Sequence, residues 1–356
     1  MCSPASSAAV HPECPARAGN LPSVPTPTLA DVTAALDALW PPEFAESWDA
    51  VGLVCGDPAA EVRRVLFAVD PVQEVVDEAV RIGADLLVTH HPLYLRGTTT
   101  VAPVGPAGFK GQVVHDLIRG GVALLVAHTN ADRADPGVSD ALAAALDLRV
   151  TGPLVPDPAD PTGRRGLGRL CEPLAPLTLA AFAEQAARGL PATAGGLRIA
   201  GDPDALVRTV AVCGGSGDSL FAEVRAAGAD VFLTADLRHH PASEARQAAG
   251  RSGTPALVDA AHWATEWPWC EQAAGQLDEI SDRHGWALRT HVSRTVTDPW
   301  TAHAASSVAS SASAFSSSSV SSASSGASAT ASASASSHAD RTTTSRSPSS
   351  SSGAPR

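Results

Sequence analysis

Short apolar runs alternate with amphipathic stretches along most of this chain. Thr28 to Leu39 carries apolar residues at helical spacing and predicts a helix. Val65 to Val69 is a compact apolar run that suits a buried strand, and Asp70 ends it. Pro71 to Ile82 places Val72, Val75, Val76, Ala79 and Val80 on one helical face. Leu86 to Val88 is apolar on both faces, as parallel strands are. Lys110 to Arg119 predicts a helix, Val122 to Ala127 a strand, and Pro136-Gly137 opens a helix to about Leu146. Strands and helices alternating at this pitch predict an α/β fold.

The segment from Val150 to Leu206 breaks the rhythm with several Pro and Gly residues. It reads as a connection, with one helix over Leu177 to Gly189 and strand character near Arg169–Cys171 and Leu197–Ala200. The pattern then resumes. Val62-Arg63 to Gly83 is a step of 21 positions, and so is Val207-Arg208 to Gly228. Both steps end in Gly-Ala-Asp and lead into an apolar run. Ala256 to Asp259 predicts a strand, Trp263 to Leu277 a helix and Trp286 to Val292 a final strand. A repeat of two units implies duplication rather than a solenoid. The expected organisation is two related lobes, about 28–150 and 207–295, joined by a connection over 151–206. The first 27 residues and the Ser/Ala-rich tail, 296–356, hold too little apolar surface to offset the entropy of ordering them. About 270 residues remain, enough for two interlocked lobes.

The repeat carries candidate chemistry. The first apolar run ends in Thr89 and is followed by His90-His91; the second ends in Thr234 and is followed by Ala235-Asp236. Each lobe's later strand ends in Ala-His with a carboxylate four residues on: His128 and Asp132, then His262 and Glu266. Ligands gather beyond the carboxyl ends of strands in α/β sheets. Adjacent residues on an extended backbone point to opposite sides, so His90 and His91 suit two neighbouring metals. A helix beginning at His262 sets its imidazole one turn from Glu266. Each pattern has a plain alternative: loop histidines satisfied by backbone carbonyls, or an acid favoured by a helix N-terminus. Their joint occurrence at equivalent places in two repeats favours one metal centre between the lobes. Imidazole and carboxylate donors without thiolate suit Zn, Fe or Mn.

Composition narrows the function classes. The formal charge is −12; beyond Trp300 the chain has one acid, Asp340, and three arginines, which leaves −14 on the remainder. Such a balance disfavours a nucleic-acid surface, though not a single nucleotide held at a metal. The six cysteines are scattered without a Cys-x-x-Cys pair, which fits reduced, buried thiols in a cytoplasmic protein. No signal peptide and no bilayer-spanning run is read. No Walker-type phosphate loop is present.

The strings WDAVGL, GADLLVTHHPL, HTNADRADPGVSDAL, GADVFLTADLRHH and DAAHWATEWP closely resemble the GTP cyclohydrolase 1 type 2 homologue family, the Nif-three-like dinuclear-metal proteins. The resemblance runs from about Thr28 to Arg294, with the motifs in order. It implies that His90, His91, Asp132, His262 and Glu266 hold two divalent ions, with Glu266 bridging. It also implies two α/β lobes assembled as a homohexamer. The activity it implies is hydrolysis of a small molecule, possibly a purine nucleotide, by metal-activated water. A non-catalytic metal-binding scaffold, regulator or metal chaperone is the alternative. Lys110, the only lysine, stands where the family tends to carry Lys-Gly before a helix and is a candidate for substrate binding. Tyr94, the only tyrosine, is a candidate for the mouth of the site, against packing at a rim. Ala50 replaces the Asn that usually follows Trp-Asp in the family. His128 matches His262 in the repeat but lies outside the family's ligand set. It is read as a catalytic residue, against a purely structural bond to a nearby carboxylate.

Overall fold

The computed structural model describes residues 25–304. The terminal segments expected over 1–27 and 296–356 lie outside the described residues, save 25–27 and 296–304. Helix α1 (Leu29–Leu39) starts in a capping box, in which Thr28 accepts from the Asp31 N–H and Asp31 accepts in return. Strands β1 (Gly52–Cys55), β2 (Arg64–Ala68), β3 (Leu86–Thr89) and β4 (Ala123–Val126) follow, with α2 (Gln73–Ile82) and α3 (Gly108–Gly120) between the parallel strands. Two short helices, α4 (Thr129–Arg133) and α5 (Val138–Ala145), come next.

The middle of the chain holds β5 (Leu148–Pro156), β6 (Gly166–Pro173), β7 (Leu177–Thr178), α6 (Leu179–Gly189), β8 (Arg198–Ala200) and β9 (Leu206–Val207). Then come β10 (Val210–Ser216), α7 (Phe221–Ala226), β11 (Val231–Ala235), α8 (His239–Ala249), β12 (Ala256–Ala260), α9 (His262–His284) and β13 (Arg289–Val292).

Two large sheets organise these elements, and β7 and β9 pair as a separate antiparallel ribbon. The first has the order β1-β4-β3-β2-β13, parallel except for β1. The second has the order β5-β6-β10-β11-β12-β8, with β10, β11 and β12 parallel. Side chains alternate as the pleat requires. Val65 and Phe67 of β2 join a core with α1 and α9, whereas Leu66 and Ala68 join one with α2 and α3. Val210 and Val212 of β10 face α6, and Ala211 and Cys213 face the side of α7 and α8. Helix α5 serves both cores, with Val138 and Ala141 in the first sheet's and Leu142 and Ala143 in the second's.

Two sequence expectations change here. The segment read as a connection supplies β5, β6 and β8 to the second sheet. Some of its glycines mark close approaches: Gly168 has φ +62°, and a Cβ there would lie 3.0 Å from the Val212 carbonyl oxygen. The final strand, assigned to the second lobe, instead pairs in parallel with β2 of the first sheet. Helix α9, with 23 residues, is about 35 Å long and returns the chain to that sheet.

The repeated Gly-Ala-Asp has a common structural role. Gly83 and Gly228 adopt φ +65° and +69° after their helices. Asp85 then accepts from the Arg63 and Arg64 N–H groups at 2.8 and 2.9 Å. Asp230 accepts from those of Arg208 and Thr209 at the same distances. The equal spacing therefore reflects one way of tying a strand's start to its neighbour's start.

Candidate metal centre

The donors stand where parallel strands end. His90 and His91 follow β3, His128 lies two residues past β4, and His262 lies two past β12 as the first residue of α9. Asp132 lies in α4, which His128 caps, and Glu266 lies one turn into α9. Glu266 is the hub. Its Oε1 is 2.9 Å from His262 Nε2 and 3.5 Å from His90 Nε2, and its Oε2 is 3.1 Å from His91 Nε2. Asp132 Oδ1 is 3.8 Å from His90 Nε2. The His128 ring lies 5.2 and 5.7 Å from those of His90 and His91. The structure thus brings together all five sequence-read ligands and His128. Two groups have donor atoms close enough for one ion each: His90, His91 and His128; and His91, His262 and Glu266.

Each imidazole is held from behind. His90 Nδ1 donates to the Ala127 carbonyl at 3.0 Å, and His91 Nδ1 to Asp70 at 2.7 Å. His128 Nδ1 donates to Asp49 at 2.9 Å, and His262 Nδ1 to Asp236 at 2.7 Å. A carbonyl or carboxylate oxygen only accepts, so each ring keeps a proton on Nδ1 and, once neutral, offers its Nε2 lone pair to the common space. Histidines that bind metals are oriented in this way. Asp49 also accepts from the backbone N–H of Thr129 at 3.1 Å and from its hydroxyl. The carboxylate of the Trp48-Asp49 pair is therefore engaged, whatever stands at position 50. Trp269, fully buried, backs His90 with ring centroids 5.4 Å apart.

The donor set fits a metal. His90 Nε2 and Glu266 Oε2 are both buried without a hydrogen-bond partner. Orphaned buried groups of this kind call for a further occupant. The chain also keeps side chains out of the centre: a Cβ on Gly215, where φ is +68°, would fall 2.5 Å from Glu266 Oε1 and 3.1 Å from His262 Nε2.

Electrostatics follow from burial and mutual charge. Burial works against a charged His91, but Glu266 and Asp70 outweigh it and raise its pKa to about 11. His262, likewise opposed by burial, is raised to about 9 by Glu266 and Asp236. Burial lifts Asp132 to about 6. Glu266, despite burial, is held well below the usual carboxylate range by His91, His90 and His262. His128 differs, because burial and then the charge of His90 lower it. A metal takes only neutral imidazole. Loading near pH 7 must therefore displace protons that His91 and His262 hold below about 11 and 9. Zinc affinity should rise with pH by about tenfold per unit for each proton displaced. Calorimetry in two buffers of different ionisation enthalpy would show proton release; equal heats in both, with affinity unchanged between pH 6 and 8, would contradict this.

Other candidates lie elsewhere. Lys110 Nζ sits 5.7 Å from the centre of the Tyr94 ring, and neither residue belongs to the donor groups. The four cysteines among the described residues are free, and Cys171, Cys213 and Cys270 are buried. Among the described residues no helix is long and apolar enough to cross a membrane. Sequence reasoning missed Asp49 and Asp70 as supports. Asp70 had a signal, since it stands directly beyond an apolar strand as the histidines do.

Comparison with known proteins places the chain. The family described as Duf34/NIF3 (NGG1p interacting factor 3) matches residues 27–299. The chain belongs to this family. A Streptomyces coelicolor member named GTP cyclohydrolase 1 type 2 homolog is 72% identical over 286 residues, covering 80% of this chain and 98% of that one. A Mycobacterium tuberculosis protein of the same name is 38% identical and covers 76% of this chain and 96% of its own length. The crystal structure of a Staphylococcus aureus hypothetical protein, 28% identical, aligns with TM-score 0.69 over 78% of this chain and 99% of that one. Family and donor clusters together support a metal-binding protein of the NIF3 type.

Proposed function

We propose that the protein is a metal-dependent hydrolase of the GTP cyclohydrolase 1 type 2 kind, acting on a small molecule such as a purine nucleotide. One dinuclear centre lies between two duplicated lobes. The observation that carries this reading is the convergence of three imidazole Nε2 atoms, those of His90, His91 and His262, on Glu266, with His90 Nε2 and Glu266 Oε2 unpartnered. His90, His91, Asp132, His262 and Glu266 would hold two divalent ions of Zn, Fe or Mn. When bound, such ions activate water and offset the negative charge that develops on the substrate.

The chain's own groups do the rest. Asp70 and Asp236 fix the ring orientation of His91 and His262. His128, steered by Asp49 and kept neutral by burial, accepts a proton at Nε2 and returns it to the leaving group. Trp269 excludes water from behind His90. The family resemblance implies a homo-oligomer, a hexamer, as the working form, and the scattered cysteines fit the cytoplasm.

The test is to incubate metal-loaded protein with GTP and follow formate release and loss of guanine absorbance. Ring opening with formate is the expected result. If GTP, a panel of phosphoesters and a panel of cyclic amides all stay intact across Zn, Fe and Mn, the hydrolase reading fails and the scaffold or regulator reading stands.

A further inference from the structure

A cavity of about 560 Å³ opens directly onto the donors. His91 and His262 line one side, and the segment after β13 lines another with Asp298 and Trp300. That segment is anchored residue by residue. The Ser293 N–H donates to the Phe67 carbonyl at 2.8 Å, and the Trp267 indole N–H donates to the Ser293 carbonyl at 2.8 Å. The Thr297 hydroxyl donates to Asp70, the same carboxylate that accepts from His91. The strap is thus tied to the support of a metal donor.

Two side chains on it are not fully engaged. Trp300 is 72% exposed although it borders the cavity. Asp298 is 9% exposed and lines the same cavity, yet its Oδ2 has no hydrogen-bond partner. An exposed indole beside a cavity offers a face for a planar ring, and a buried unpaired acceptor calls for a donor. Arg198, on another part of the wall, is already paired with Asp259.

We propose that the strap forms the specificity wall of the site. Trp300 stacks on a planar heteroaromatic ring, and Asp298 accepts from N–H donors on that ring's edge. The ligand class is a nucleoside-like heterocycle that carries donors. This deepens the small-molecule reading above and rests on it.

The experiment is calorimetric titration of the metal-loaded full chain with guanosine, purine riboside and ribose, beside elemental analysis of each variant. Guanosine and purine riboside bind more tightly than ribose. Trp300→Ala weakens both by about tenfold, in the range of one base-stacking contact, and Trp300→Phe recovers most of the loss. Asp298→Ala lowers the preference for guanosine over purine riboside, whose ring bears no donor. Metal content stays at the wild-type level in all variants. The proposal is overturned if nucleosides bind no better than ribose, if Trp300→Ala binds them like the wild type, or if that variant loses metal. Trp300-dependent binding without turnover would sink the hydrolase reading alone. Turnover with KM unchanged in Trp300→Ala would sink the wall alone.

Discussion

Replacing Glu266 with Gln is expected to empty the metal centre while the fold persists. Glu266 is 3% exposed and its two oxygens face three imidazole Nε2 atoms between 2.9 and 3.5 Å away. A carboxylate in that position would supply two acceptor oxygens and one negative charge to bound cations. An amide of the same shape keeps a single acceptor oxygen, adds an N–H₂ that repels a cation, and carries no charge. Loss of a residue that merely orients a ligand costs about 10–100-fold in metal affinity, so loss of the hub costs more. Inductively coupled plasma analysis after dialysis should find two ions per chain in the wild type and fewer than one in Glu266→Gln. His239→Ala, outside the donor groups, should keep both. Two retained ions in Glu266→Gln would remove Glu266 from the ligand set.

The second large effect falls on a residue that touches no metal. Arg169 is 1% exposed, and all five of its N–H groups are used. Nε donates to Asp140 at 2.9 Å, Nη2 to Asp140 and the Ala134 carbonyl at 2.6 Å each, and Nη1 to the Gly166 and Gly168 carbonyls at 2.7 and 2.9 Å. Ala134 follows α4, which carries Asp132, and Asp140 lies in the first turn of α5. The guanidinium therefore pins the segment between these two helices against β6. Arg169→Leu leaves a carboxylate and three carbonyls short of donors. Breaking one partner out of a buried pair costs about 3–5 kcal/mol, or about 10 °C in Tm for a domain of this size. Thermal unfolding of chelator-treated protein checks it, and a drop of under about 2 °C would show that water replaces the lost bonds. With metal added back, the variant should also bind more weakly, because Asp132 is no longer held in place.

The residues that proved legible are those whose meaning is local. Apolar runs at Val65 to Val69 and Leu86 to Val88 match buried parallel strands, because strands covered on both faces need no polar alternation. His262 and Glu266 fall one helical turn apart because α9 begins at His262 itself. Long-range features were hidden. The supports Asp49, Asp70 and Asp236 stand 79, 21 and 26 residues from the histidines they orient. Only the packing of strand ends brings such pairs together. Asp236 is the instructive case. It stands in the repeat where the first lobe has its paired histidines, and the fold uses it to orient His262 rather than to add a ligand. Strand β5 was hidden by its Gly and Pro residues, whereas the strand character near Arg169–Cys171 and Leu197–Ala200 falls within β6 and β8. The return of β13 to the first sheet depends on the path of α9, which no local pattern records.

The account's central claim is one shared dinuclear centre around Glu266. The most direct test is anomalous diffraction at the zinc edge from crystals of the zinc-loaded protein. Two peaks per chain are predicted, both beside Glu266. One should lie within bonding distance of His91 Nε2 or His262 Nε2, the other of His90 Nε2 or Asp132. A single peak, or peaks that leave Glu266 without a metal neighbour, would contradict it.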